Sequence, residues 1–287
     1  MLLHAIHADT RFGDMNVKGR IIIKSPDTDV LLLCIHFFPS MRNTKELWFK
    51  TGTVTRTKDG RRYLPVHDIC HIQGPLVCKL LPAMHALTGC DTTSTFFRIG
   101  KKTVPKTLKV NIDEFADLNK LCLLDSETSI DVSRNFVARL YDQKGKMKSA
   151  HDNLNRLRVK IAKQKDVSLA KLPPCEASFV QHVLRASLQT YIWMKSDTAQ
   201  PPEKSALDFG WEDQNGLSPV YFVGQTSSDF LKDLLCTCKG KSSCSQGCVC
   251  AEQNLTCTEL CQCQGTDACC NPLTQTADED SDDEMNI

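Results

Sequence analysis

Ten of the sixteen cysteines in this 287-residue chain fall between Cys236 and Cys270. Their spacing is Cys236-x-Cys238-x5-Cys244-x3-Cys248-x-Cys250-x6-Cys257-x3-Cys261-x-Cys263-x5-Cys269-Cys270. Almost nothing apolar lies between them, so no ordinary hydrophobic core can order this stretch. Cysteine thiolates around tetrahedral Zn²⁺ can, and folding is then linked to metal. Three tetrahedral ions need twelve ligand positions, and nine thiolates suffice if three of them bridge two metals. Ten cysteines leave one spare, and the ambiguity lies at Cys269-Cys270. A disulfide knot would need an oxidising compartment.

The rest of the chain argues against that compartment. The opening MLLHAIHADT has no basic n-region and no small-residue cleavage site. The longest apolar run, Val30 to Phe38, is broken by His36 and is too short to span a bilayer. An intracellular protein without a membrane partner is expected, with its thiols reduced. Formal net charge is +1, but the charge is segregated. From Arg139 to Lys171 basic residues outnumber acidic ones ten to three, and Asp278 to Glu284 holds six carboxylates in seven positions. The basic stretch can follow a phosphate backbone or serve as a solvated helical face. The acidic end reads as a solvated, disordered tail.

Residues 1–110 read as α/β. LLHAIHA has helical spacing, and RIIIK (Arg20 to Lys24) reads as a buried parallel strand. VLLLCI (Val30 to Ile35) is expected to be a second strand. A hairpin follows: LWFKTGTV, a turn at Lys58 to Gly60, then RRYLPVHDI. Residues 75–90 read as a helix that Pro82 kinks or restarts. Residues 111–195 read as helical, with an interruption near Gly145 and a clean amphipathic helix from Phe179 to Met194. Residues 196–235 read as a loosely structured connector, 236–272 as the zinc module and 273–287 as the tail.

A carboxylate constellation lies in the first segment. Asp27 and Asp29 follow the first strand as S-P-D-T-D, where ligands bind in open α/β sheets. Two aspartates one residue apart can converge on a hard cation such as Mg²⁺. Asp91 ends L-T-G-C-D, and after it TTSTFFRIGKKT carries a glycine turn and the pair Lys101 and Lys102 before Thr103. Such a turn opening a helix suits a phosphate. The bland reading of each aspartate is an N-cap or turn residue.

The cysteine pattern resembles the tesmin-type CXC domain, a zinc- and DNA-binding module of nuclear proteins. CTCKGKSSCSQGCVC matches its repeated unit, and CTELCQC followed by CCN matches the second half. Where that family places a tyrosine that reaches DNA, this chain has Gly247. IIIKSPDTDVLLL and HALTGCDTTSTFFRIGKKT match, in order, the internal region of the flap-endonuclease (PIN-like) superfamily. An animal family, often multi-copy, joins such a region to a CXC-like tail, and LPPCEASFVQHVLRASLQTYIW followed by Gly210-Trp211 resembles it too.

These resemblances imply an N-terminally incomplete PIN-like α/β domain, a helical and connector region, and a small zinc-cluster module. They imply Asp27, Asp29 and Asp91 as Mg²⁺ ligands and Lys101, Lys102 and Thr103 as contacts to a nucleic-acid backbone. All ten cysteines, Cys236, Cys238, Cys244, Cys248, Cys250, Cys257, Cys261, Cys263, Cys269 and Cys270, are candidate zinc ligands. Flap-type nucleases draw further carboxylates from an N-terminal strand and helix, and the chain begins where that helix should be running. Two-metal cleavage needs several carboxylates around both ions. The expected function is therefore nucleic-acid association, with DNA as partner and a nuclear location, by a domain that does not cleave. The alternatives are a metal-dependent nuclease with a longer N-terminus, and a protein-interaction scaffold whose tail zinc merely folds.

Overall fold

The structure, a computed structural model, describes residues 1–52, 54, 59–97, 99–100, 103–110, 112–164, 168–224, 235–238, 244, 247–265 and 269–274. The chain divides into two compact units, Met1–Phe222 and Val223–Ile287.

The first unit opens with helix α1 (Leu2–Asp14), which turns into strand β1 (Gly19–Lys24). Gly19 is needed there because a Cβ would lie 2.0 Å from the Phe12 ring. β1 pairs in parallel with β2 (Thr44–Thr51), and β2 pairs antiparallel with β3 (Arg62–Pro65). These are the two strands of the hairpin read from the sequence, but the second ends at Pro65 and VHDI, expected to continue it, is helical, while Lys58 of the expected turn lies outside the described residues. β2 is central and supplies Leu47 and Phe49 to the core. Asp9 of α1 locks the entry to β2. Its buried carboxylate accepts from the Arg42 N–H (3.2 Å), the Asn43 N–H (2.8 Å) and the Thr44 hydroxyl (2.7 Å).

The expected second strand at Val30 to Ile35 is instead part of helix α2 (Thr28–Phe37). A continuous apolar run fits a buried helix as well as a buried strand, so periodicity alone cannot decide. The local chemistry decides. Asp27 is the N-cap, its Oδ1 accepting the Asp29 N–H at 2.8 Å, and three consecutive leucines are good helix formers.

Helices α3 (Val66–Gln73) and α4 (Pro75–Thr88) follow. Pro82 lies inside α4, which runs on through it. Proline has no N–H for the carbonyl four residues back, here Cys78. His36 of α2 fills that vacancy, its Nδ1–H donating to the Cys78 oxygen at 3.0 Å.

α5 (Thr103–Val110) leads to a 3₁₀ helix (Ile112–Leu123), where the sequence suggested an ordinary helix. α6 (Ser126–Tyr141) and α7 (Leu154–Ala162) are separated by a loop at Gly145, the interruption seen in the sequence. α8 (Glu176–Met194) packs on α4, on the 3₁₀ helix and on α6. One hydrophobic cluster takes in residues from Leu2 to Trp193, so the sheet and the later helices share a core.

Part of the segment read as a connector is regular structure. It forms a small hairpin, β4 (Trp211–Asp213) with β5 (Leu217–Pro219). The buried Arg185 of α8 organises it, donating from Nη1 to the carbonyls of Gly210 (2.9 Å) and Val220 (2.6 Å). In the second unit the described elements are the cysteine-bearing turns and the short helix α9 (Val249–Glu252). Residues 275–287, which include most of the expected acidic tail, lie outside the described residues.

Candidate metal centre

In the second unit the cysteines converge. Cys236, Cys244, Cys248, Cys250, Cys257, Cys261, Cys263 and Cys269 are all buried, although few other side chains are there to bury them. Their packing partners are one another. Sulfur–sulfur distances are 3.7 Å for Cys236–Cys257, 3.6 Å for Cys236–Cys263, 3.8 Å for Cys248–Cys257, 3.6 Å for Cys250–Cys261 and 3.9 Å for Cys263–Cys269. Zinc–thiolate bonds of about 2.3 Å at tetrahedral angles set sulfurs about 3.8 Å apart. A disulfide would bring them to about 2 Å. All sixteen cysteines are free thiols.

Three sets of four sulfurs each lie within 4.8 Å of one another: Cys236, Cys238, Cys244 and Cys248; Cys236, Cys250, Cys257 and Cys261; and Cys236, Cys244, Cys257 and Cys263. Each set has the number and spacing of sulfurs that could hold one metal ion. The sets overlap at Cys236, Cys244 and Cys257, the arrangement of a cluster with shared ligands. Cys269 stands outside these sets but touches Cys263. Cys270 is half-buried and also stands outside them.

Tight turns give the chain this course. Gly247, Asn254, Gln264 and Gly265 all adopt positive φ, between 56° and 71°. Cys248 caps α9, so its sulfur and that of Cys250 are fixed by a single helical turn. The Gln262 N–H donates to the Cys236 carbonyl at 3.0 Å, tying the second half of the module back to the first. Two further groups hold sulfurs and a third holds the Cys257 backbone, and the sequence reading missed all three. The buried Asn271 amide donates to Cys257 Sγ (3.4 Å) and to the Leu255 carbonyl (2.9 Å). The Thr258 N–H donates to Cys261 Sγ (3.3 Å), and the Thr274 hydroxyl accepts the Cys257 N–H (2.8 Å). Such outer partners orient metal ligands and favour the thiolate. The one signal in the sequence was a polar residue, Asn271, directly following Cys269-Cys270.

Burial and hydrogen bonding split the thiols of the module, raising some and lowering others such as Cys248 and Cys261. Burial pushes the Cys236, Cys244 and Cys257 thiols far up, and Cys250 up to about 11. At Cys263 burial works in the same direction, but the Gly265 N–H and the Cys236, Cys257 and Cys244 thiols outweigh it and bring the group down to about 7. Without a metal most of these sulfurs hold their protons. A bound dication replaces those protons, so metal uptake releases acid.

The carboxylates of the first unit are placed differently. Asp27 and Asp29 do follow β1, at the start of α2. Asp27 is occupied as the N-cap, and Asp29 Oδ1 meets His85 Nε2 at 2.8 Å. His85 in turn stacks on Trp193, with centroids 5.6 Å apart and planes at 22°. Asp91 is exposed in the turn after α4. Among the described residues, only cysteines form groups of three or more ligand atoms within 4.8 Å. His85 was not singled out in the sequence, because its partner lies 56 residues away. Thr103 begins α5, its N–H donating to the Gly100 carbonyl at 2.9 Å, while Lys101 and Lys102 lie outside the described residues.

No helix of the described chain is long and apolar enough to cross a membrane. No protein-family model, curated protein or solved structure matches the chain.

Proposed function

We propose that residues 236–270 bind three zinc ions in one shared-thiolate cluster, and that the protein uses it as part of a nucleic-acid-associated, non-cleaving molecule. The overlapping cysteine sets carry the zinc reading. One ion takes Cys238 and Cys248 with the shared Cys236 and Cys244. A second takes Cys250 and Cys261 with the shared Cys236 and Cys257. Cys236 cannot serve a third dication without crowding all three around one sulfur. Cys269 takes its place: it lies beside Cys263, and both Cys244 and Cys257 border that pair. Nine thiolates then satisfy three ions, and Cys270 is the spare.

Nucleic-acid association rests on the resemblance of the cysteine spacing to the CXC domain and on the basic stretch around α7. The binding is electrostatic and weakly sequence-selective, since Gly247 offers no side chain where that family reads DNA. The commitment of Asp27 to the α2 cap and of Asp29 to His85 favours binding over cleavage for the first unit.

Metal analysis of the reduced full chain is the test. Three zinc ions per chain are expected, with three retained in Cys270→Ser and fewer in Cys269→Ser. One ion or none in the reduced protein would sink the cluster. For nucleic acid, the affinity is expected to fall steeply with added salt, and an affinity indifferent to salt would contradict the electrostatic reading.

A further inference from the structure

Arg139 stands in the last turn of α6 with only 9% of its surface exposed. Its Nη1 is fully buried and has no hydrogen-bond partner, and the side chain makes no ion pair among the described residues. A buried guanidinium without a counter-charge is costly and needs an explanation. The nearest carboxylate in sequence, Asp142, is already committed. It accepts from the Lys146 N–H (3.0 Å), the Met147 N–H (2.8 Å) and His151 Nε2 (2.9 Å).

Those bonds fold residues 142–148 into a loop over the guanidinium. Gly145, at φ 68°, lies against it. A Cβ there would lie 2.4 Å from Arg139 Nη1 and 3.2 Å from Lys148 Cε. Lys144, Lys146 and Lys148 are exposed around it. Lys160 of α7 leans onto the same loop, its Nζ donating to the Ser149 hydroxyl at 2.8 Å. Between residues 139 and 164 there are eight basic and two acidic side chains, a net of +6. Of the two acids, Asp142 is buried in the loop and Asp152 pairs with Arg156 at 2.9 Å.

We propose that the loop at Gly145, with Arg139 beneath it and Lys146, Lys148 and Lys160 around it, seats a phosphate of a nucleic-acid backbone. Nη1 itself is closed over by Gly145, so a phosphate on the loop does not bond to it but supplies the counter-charge that the buried guanidinium lacks, through the loop from above. The lysines strung along the loop and α7 match a chain of repeating phosphates better than a single headgroup. This site rests on the nucleic-acid reading above and gives it an address in the first unit.

The test uses the full zinc-loaded chain and a labelled 20-nucleotide single strand and duplex, with binding measured across a salt series. Lys146→Gln/Lys148→Gln changes only exposed side chains and keeps the fold. It is expected to weaken binding about tenfold or more and to reduce the salt slope by roughly 0.9 for each phosphate that is no longer neutralised. Arg139→Gln is expected to weaken binding further, while Arg139→Lys retains part of it. Pyrophosphate is expected to raise the melting temperature of the natural chain and not that of Arg139→Gln. If the double lysine variant binds like the natural chain, the site is wrong and nucleic-acid association stands. If the natural chain binds neither strand nor duplex, the reading itself falls with the site. Binding to phosphatidylserine vesicles in place of nucleic acid overturns the proposed occupant.

Discussion

His182 of α8 is 5% exposed, donates from Nε2 to the Leu87 carbonyl at 2.8 Å and packs on the Phe96 ring at 5.1 Å. Burial lowers its pKa to about 4, with the Leu87 carbonyl opposing and Arg185 adding to the fall. Above about pH 6.5 the group is neutral in both folded and unfolded chains. As pH drops toward 4 the unfolded chain takes up a proton that the folded chain refuses, so stability declines by up to about 3 kcal/mol and then levels off. Burial also lowers His36, which therefore acts in the same direction. Denaturant unfolding of the zinc-loaded chain is expected to show this loss for the first unit between about pH 6.5 and 4. His182→Gln should flatten much of the slope, and an unchanged slope in that variant would refute the assignment. At this scale the sequence was informative about chemistry but not about partners. Asp27 and Asp29 stand where their spacing put them, after the first strand, yet nothing local announced that Asp29 would meet His85. Asp9 likewise gave no sign that its carboxylate would close the start of β2.

Among the elements, α4 depends on a contact from outside itself. A proline in a helix interior ordinarily costs about 3 kcal/mol, partly through the orphaned carbonyl. Here His36 supplies the missing donor. His36→Ala is expected to cost about 1–3 kcal/mol in the natural chain, the penalty for an unmet buried polar group. In Pro82→Ala the new N–H at position 82 reaches the Cys78 carbonyl, and the same histidine change should cost distinctly less. A double-mutant cycle measures the difference, and strictly additive effects would show that the two residues act independently. The element boundaries tell a related story. α1, α8, the β2–β3 hairpin and the break at Gly145 were legible because each carries its own periodicity or turn chemistry. α2 was misread because Val30 to Ile35 is apolar on every side and so has no period. The hairpin Trp211–Pro219 was missed because Arg185, which holds it, belongs to a helix earlier in the chain.

For the whole molecule, on the zinc reading proposed above, two different forces order the two units. The first buries one continuous hydrophobic cluster. The second has little apolar material, and its interior is sulfur. Chelation of the reduced protein is therefore expected to unfold residues 236–270 with release of zinc, while the first unit keeps its cooperative denaturant transition and its near-ultraviolet circular dichroism. Loss of both together would show that zinc also sustains the first unit.

What the sequence determined by itself was a cysteine cluster able to hold metal. Ten cysteines at short, repeated spacings with almost no apolar residues between them leave coordination as the means of ordering that segment, whatever path the chain takes. Tertiary structure decided which sulfurs meet. Cys236 and Cys257 are 21 residues apart and meet at 3.7 Å only because turns with positive φ fold the module back on itself. It also decided the fate of the charged side chains. Asp29, Asp142 and Arg139 look alike as scattered charges in a sequence. Only in the fold does one meet a histidine, one close a loop, and one remain buried with a donor unmet, because burial and partnership depend on which distant segments pack together.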